Sequence, residues 1–225
     1  MGTAISEYFN SGEPDFINVF SDIAEPDIIP VEYLFRDFET MPAIEKTALK
    51  SASGKILEIG AAAGSHSLWL QNNGKDITAL DISKKSVEIM KKRGINKVIH
   101  ADIFQFNSDN KYDTLLILMN RTGIAGTLDN LPRFLKKCQN LLKKHGKILI
   151  DSSDLSYMFE DDNELPDHYY GQVSYVMEYK GIKSEPFKWL FVDFNTLSKT
   201  VVRSGGKCIL LKKGEHNDYL SEISW

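Results

Sequence analysis

The sequence predicts an α/β fold built on a mostly parallel sheet, and three observations lead there. From Lys55 onward short apolar runs alternate with amphipathic stretches, the signature of strand–helix–strand units. The most apolar of these runs, Asp113 to Met119, reads as a central strand buried on both faces. The final third is aromatic and β-branched and reads as antiparallel. With 225 residues, 42% of them hydrophobic and 26% charged, the chain has the length of one large domain and can bury a sizeable core.

The first fifty residues carry Pro14, Pro26, Pro30 and Pro42 and read as short helices and turns rather than sheet, a cap or lid over residues 1–50. Lys55 to Ile59 is the first strand, and Gly60 ends it. A small-residue turn leads into a helix from Ser65 to Asn72, which Gly74 closes. Asp76 to Leu80 is the second strand. Ser83 then caps a helix with Lys91, Lys92 and Arg93 in its last turn, opposite the negative dipole end, and Gly94 terminates it. Lys97 to His100 is a third strand.

Beyond the central strand, Leu131, Phe134, Leu135, Cys138, Leu141 and Leu142 form a helical apolar stripe, with Pro132 in the first turn and Gly146 at the end. Lys147 to Asp151 is the fifth strand. Tyr169 to Tyr179 and Lys188 to Val192 read as antiparallel strands around Gly181, with Trp189 in the core. A helix from Asn195 to Arg203 ends at Gly205 and Gly206, and strands at Lys207 to Lys212 and Tyr219 to Trp225 close as a hairpin around Gly214.

The charge balance of 27 basic against 31 acidic residues gives −4, with no basic excess to attract nucleic acid or anionic lipid. No run approaches the roughly 18 apolar residues that a membrane span needs. The two distant cysteines, Cys138 and Cys208, fit a reducing compartment, so the expectation is a cytoplasmic protein. The five scattered histidines offer no metal-ligand spacing, and no metal is expected.

The sharpest chemical signal is Leu57-Glu58-Ile59-Gly60-Ala61-Ala62-Ala63-Gly64-Ser65, an acid and a small-residue turn between strand and helix. Such a turn lets a ligand approach the backbone closely. A dinucleotide fingerprint would place glycine at 60, 62 and 65, where the chain has Gly60, Ala62 and Ser65, which argues against NAD. Asp81 lies 21 residues after Gly60, where a carboxylate can accept both hydroxyls of a ribose. Asp102 follows the third strand beside Ile103, where a carboxylate can accept from an adenine amino group. Asn120 follows the central strand at the carboxyl edge of the sheet, where ligands sit in open α/β folds.

On these residues the chain resembles the class I S-adenosylmethionine-dependent methyltransferases, whose glycine loop runs acidic-x-Gly-x-Gly-x-Gly. Glu58, Gly60 and Gly64 match, and Ala62 replaces the middle glycine. The resemblance runs from about Lys55 to Trp225. It implies a Rossmann-like, doubly wound, mostly parallel seven-stranded sheet with an antiparallel C-terminal hairpin, a helical N-terminal cap, and an antiparallel insertion at about 155–192 in a domain spanning 51–225. It also implies S-adenosyl-L-methionine as cofactor. By analogy Glu58 and the loop of Gly60, Ala61, Ala62 and Gly64 face the methionine part, Asp81 the ribose, and Asp102 with Ile103 the adenine, with Ile82 a further cofactor-binding candidate.

Arg36 is a candidate to pair with the methionine carboxylate, and His66 to contact that carboxylate or the substrate. If the acceptor must lose a proton, Tyr33, His66, Asp151 and Asp154 are the candidate bases, unranked by the sequence. Arg121 is able to meet an acidic substrate but reads first as a solvated loop arginine, and Tyr169 and Tyr170 are candidate pocket walls. The compact cap and acidic balance favour a small-molecule acceptor over nucleic acid. A nicotinamide-dependent oxidoreductase and a non-catalytic binder of the same cofactor stay open as alternatives.

Overall fold

The computed structural model describes residues 1–159 and 166–225. Residues 160–165 of the expected insertion lie outside the described residues. In chain order the elements are α1 (Gly2–Ser11), β1 (Phe16–Ser21), β2 (Asp27–Pro30), α2 (Ala43–Ser51), β3 (Lys55–Ile59), α3 (Ser65–Asn72), β4 (Asp76–Asp81), α4 (Lys84–Lys92), β5 (Val98–His100) and β6 (Tyr112–Ile117). They continue with α5 (Leu131–Gln139), β7 (Leu142–Ser153), β8 (Gln172–Tyr179), β9 (Ile182–Lys183), β10 (Phe187–Leu190), α6 (Phe194–Arg203), β11 (Lys207–Lys213) and β12 (Asp218–Ser224).

Seven strands form the main sheet in the order β11-β12-β7-β6-β3-β4-β5. The pairs β3 with β4, β3 with β6, β4 with β5 and β6 with β7 are parallel, while β12 runs antiparallel to both β7 and β11. This is the Rossmann-like, doubly wound arrangement expected, with the strand order reversing at β3. Alternate residues of β6 serve opposite faces, as the pleat requires. Leu115 and Ile117 join Phe134, Leu135 and Cys138 of α5 and Leu197 and Val201 of α6 in one core. Leu116 joins Ile44, Ala48 and Leu49 of α2 and Leu70 of α3 in the other.

Two sequence expectations are corrected. The first fifty residues are not free of sheet: β1 and β2 pair antiparallel, and β1 pairs with β8 through Val19 opposite Met177. Together with β10 and β9 they build a second, antiparallel sheet. The prolines allow this because they flank the strands, with Pro30 as the last residue of the edge strand β2. The stripe through Leu141 and Leu142 does not continue the helix either. α5 ends at Gln139, and Leu142 opens β7 opposite Tyr112, with Lys147 next in register opposite Thr114, so that residues 143–146 bulge out. Gly146 sits inside the strand because a Cβ there would crowd the Tyr112 carbonyl at 3.0 Å.

A large-to-small change in the central strand tests this core. Leu115→Ala removes a fully buried side chain and is expected to destabilise by about 2–5 kcal/mol. The check is a lower urea midpoint at unchanged slope; an unchanged midpoint would contradict the packing described.

Candidate active site

The carboxyl ends of β3, β4, β6 and β7 converge on one edge of the main sheet, and an acid closes three of them. Glu58 lies in β3, Asp81 ends β4 and Asp151 lies near the end of β7. All three are buried, and each is held by hydrogen bonds. Asp81 accepts from the Ala62 amide through Oδ2 and from the Ser83 amide through Oδ1, both at 2.8 Å. Burial raises its pKa, against the pull of those two amides. Asp151 accepts from Met119 at 2.8 Å and Asn120 at 2.7 Å, and burial pushes its carboxyl up to about 7.

These clamps hold backbone that would otherwise resist its conformation. Ala62 sits at φ 52°, and Met119 and Asn120 at 66° and 54°, in the left-handed region that costs an ordinary residue roughly 1–2 kcal/mol. Ala62 is the position where the resembled loop has its middle glycine, so the alanine adopts the glycine conformation with its amide tied to Asp81. The Arg93 guanidinium adds a third restraint by donating to the Ala63 carbonyl at 2.6 Å. In the sequence Arg93 reads only as a cation at the end of a helix.

Glu58 is joined to the N-terminal segment by a buried chain of charge. Its Oε1 lies 2.9 Å from Nδ1 of His66, and its Oε2 accepts a short hydrogen bond from Ser67. Nε2 of His66 lies 2.8 Å from Glu45, which in turn takes Nη2 of Arg36 at 2.6 Å. Nη1 of Arg36 donates to the Tyr33 carbonyl, and its guanidinium stacks 4.0 Å from the centre of the Tyr33 ring. Glu45 was not singled out from the sequence. Its signal was an acid on the buried face of α2 among Ile44, Ala48 and Leu49. Burial works against the charge on His66, but its contacts with Glu45 and Glu58 raise its pKa from 6.5 to about 9. Burial also opposes the charge on Glu45, which His66 and Arg36 hold below the ordinary carboxylate range.

Three spaces adjoin this edge. A cavity of about 230 Å³ is lined by Gly60, Asp81, Ile82, Asp102 and Ile103, with Ser86 and Arg121. Ile82 is 68% exposed beside the Asp81 carboxylate, an apolar face left open next to a hydrogen-bond acceptor. Asp102 uses Oδ1 on the Phe104 amide at 2.9 Å, with no described partner on Oδ2. A narrow recess joins Arg36, Glu58, Gly60, Ala61, Ala62, Ser65 and His66. Nε of Arg36 is buried there without a hydrogen-bond partner. The donor set fits an adenosyl amino acid: carboxylates and apolar faces for a nucleoside, and an unpartnered guanidinium nitrogen near an acid for an amino acid head. Gly64 caps α3 at φ 81°, where a side chain would run into Ile95 and Met90 of the next unit.

The third and largest space, about 450 Å³, lies between the main sheet edge and the second sheet. Tyr33, Asn120, Arg121, Tyr175, Phe187 and Trp189 are among its walls. Trp189 is half-buried and lines both cavities, which corrects its assignment to the core. It is held there because it packs against Gly123, where no Cβ fits. Asp151 and Asp154 line neither cavity. Asp154 accepts instead from the Tyr170 hydroxyl at 2.9 Å and the Ser156 amide at 2.9 Å, and the Tyr169 hydroxyl donates to Asp193.

The charge chain predicts a pH dependence with a definite sign. The raised His66 pKa means that its contribution to stability is complete below about 6.5, shrinks as the pH rises and is gone above about 9. Thermal melts of the protein and of His66→Ala across this range are expected to converge toward alkaline pH. Parallel curves would contradict a protonated His66.

Residues 57–150 match the methyltransferase domain family, somewhat under half of the chain. A S-adenosylmethionine-dependent methyltransferase from Bacteroides fragilis, solved in complex with S-adenosyl-L-homocysteine, is 44% identical; the match covers 99% of this chain and 93% of that one, with a TM-score of 0.93. The sugar N-methyltransferase KedS8 of a Streptoalloteichus species shares the fold at 13% identity and a TM-score of 0.59, over 85% of this chain and 91% of its own. A curated relative, a probable (S)-tetrahydroprotoberberine N-methyltransferase of Papaver bracteatum, is 28% identical over 44% of this chain, a stretch that spans only 28% of that relative's length. Full-length similarity to the Bacteroides fragilis enzyme, a glycine loop framed by Glu58 and Asp81, and a cavity suited to an adenosyl group agree: the chain belongs to the S-adenosylmethionine-dependent methyltransferases, with S-adenosylmethionine as its cofactor.

Proposed function

We propose that this methyltransferase acts on a small-molecule acceptor held in the larger cavity. The observation that carries the reading is the cavity itself. Its volume of about 450 Å³ falls within the roughly 300–1,000 Å³ of small-ligand pockets, and it shares Arg121, Trp189 and Met1 with the cavity assigned to the adenosyl group. The solved sugar N-methyltransferase and the curated probable (S)-tetrahydroprotoberberine N-methyltransferase act, by their names, on small molecules. The net charge of −4 and the two free cysteines support an acceptor other than nucleic acid and a cytoplasmic setting.

Arg36 and Glu58, with the loop of Gly60, Ala61, Ala62 and Gly64, hold the methionine end in this reading. Asp81 and Ile82 take the ribose, Asp102 and Ile103 the adenine, and Asn120 borders both partners. The cofactor supplies a methyl group on a sulfonium, a leaving group already activated by its charge. What remains for the protein is to align two reactants and exclude water, so positioning accounts for much of the rate.

Among the four candidate bases, Tyr33 is the one that lines the acceptor cavity. Burial raises its pKa, partly offset by Arg36, so it orients the acceptor as a hydrogen-bonding phenol. His66 is a positioning residue, since both its ring nitrogens are engaged. Asp151 positions the Met119–Asn120 turn, and Asp154 the Tyr170 hydroxyl.

Calorimetric titration with S-adenosylhomocysteine and NAD tests the site assignment. Only the adenosyl ligand is expected to bind, and Asp81→Ala is expected to weaken it by about tenfold or more, the scale of a lost charged hydrogen bond. Methyl transfer should then follow the low-molecular-mass fraction of a cell extract. Transfer confined to the macromolecular fraction would overturn the small-molecule reading.

A further inference from the structure

Arg121 stands out as a cation without a counterion. Its Nε is buried with no hydrogen-bond partner, and no ion pair to its guanidinium exists among the described residues. The side chain crosses Gly60, with Cδ and Nε 3.1 Å from where a Cβ would stand, and its guanidinium carbon lies 5.8 Å from the centre of the Trp189 ring. Burial lowers its pKa, while Asp81, Glu58 and Asp151 supply only through-space attraction. Partial burial of an unpaired guanidinium is costly, and such a group is found where a ligand completes it.

Arg121 stands at the junction of the two cavities and lines both. The recess beside the glycine loop already has its own unpartnered guanidinium nitrogen, Nε of Arg36, next to Ser65 and Glu58. Arg121 also lines the larger cavity, whose other walls include Tyr33, Tyr175, Phe187, Trp189 and Phe191. Aromatic walls suit a planar or ring-shaped body. One guanidinium balances one negative charge and can grip a carboxylate through two parallel hydrogen bonds. Asp27, on the same cavity, disfavours a second negative charge.

We propose that the methyl acceptor is an aromatic or other ring-bearing small molecule with a carboxylate, and that Arg121 binds this carboxylate while the aromatic walls, Trp189 foremost, enclose the ring. This rests on the methyltransferase reading of the two cavities. Specificity for the acid over its neutral amide follows from the burial of Arg121, because an amide leaves the guanidinium uncompensated.

The test begins with calorimetric binding of S-adenosylhomocysteine to the wild-type protein and to Arg121→Gln and Arg121→Lys. The cofactor-loaded proteins are then titrated with 3-phenylpropionate, indole-3-propionate, their amides, and phenyl phosphate. Expected is binding of the carboxylates at least about tenfold tighter than of the amides. Arg121→Gln should abolish this preference and Arg121→Lys should keep part of it, each measured on protein saturated with S-adenosylhomocysteine. Phenyl phosphate should bind more weakly than the carboxylates. Equal binding of acids and amides, or binding of neither, overturns the proposal. So does a phosphate preference, or a cofactor affinity that falls tenfold in Arg121→Gln with the acid preference intact. Failure of the wild-type protein to bind S-adenosylhomocysteine would overturn the cofactor reading as well, and shows in the first titration.

Discussion

The active edge of this protein depends on a buried alternation of charge: Arg36, Glu45, His66 and Glu58 in sequence, each touching the next. Four ionisable groups in a dry interior are tolerable only when they neutralise one another, and with His66 protonated they do. The chain starts in the turn after β2, passes through α2 and the first turn of α3, and ends in β3. It thereby fixes the N-terminal segment against the glycine loop in one orientation. A purely apolar contact of similar size would hold the two together but would leave their sliding position less defined, since apolar contacts are not directional.

The same principle recurs at the other strand ends. Asp81 and Asp151 spend their oxygens on backbone amides of loops whose residues lie in the left-handed region. The sheet thus supplies rigidity from its strands and anchors from its terminal acids, and the loops between them need little packing of their own. This division of labour suits a reaction in which placement matters more than proton transfer. It also explains why Asp151, which looks catalytic in the sequence, is structural in the fold: its two oxygens fix the Met119–Asn120 turn, and it lines neither cavity.

The parallel part of the fold was legible because its determinants are local. Gly60, Gly64, Ser83, Gly94 and the apolar runs at 55–59 and 113–119 each act within a few residues of where they stand. β1 and β2 were not legible, because their strand character comes from β8, whose Met177 lies opposite Val19. No periodicity within residues 16–30 announces such a partner. Leu141 and Leu142 misled for a different reason. They extend the helical stripe of α5 by spacing alone, whereas the register of β7 on β6 decides their conformation. At the candidate site, Glu58, Asp81 and Asp102 were readable from spacing. Glu45 was not, since a lone acid on an apolar helix face has meaning only once His66 and Arg36 are beside it. Trp189 looked like core because aromatic strand residues usually are, and its place on a cavity wall depends on the missing side chain at Gly123.

The second sheet joins the two halves of the chain, and this orders events during synthesis. The hairpin of β1 and β2 leaves the ribosome early, and two strands alone are marginal in water. The β8 edge that completes it is made only after β3 to β7, so until then β1 has no partner on that edge. The chamber between the two sheets therefore needs contacts between residues far apart in the chain, such as Val19 with Met177. A nascent chain stopped before β8 would carry the glycine loop and the ends of the parallel strands without the wall that faces them.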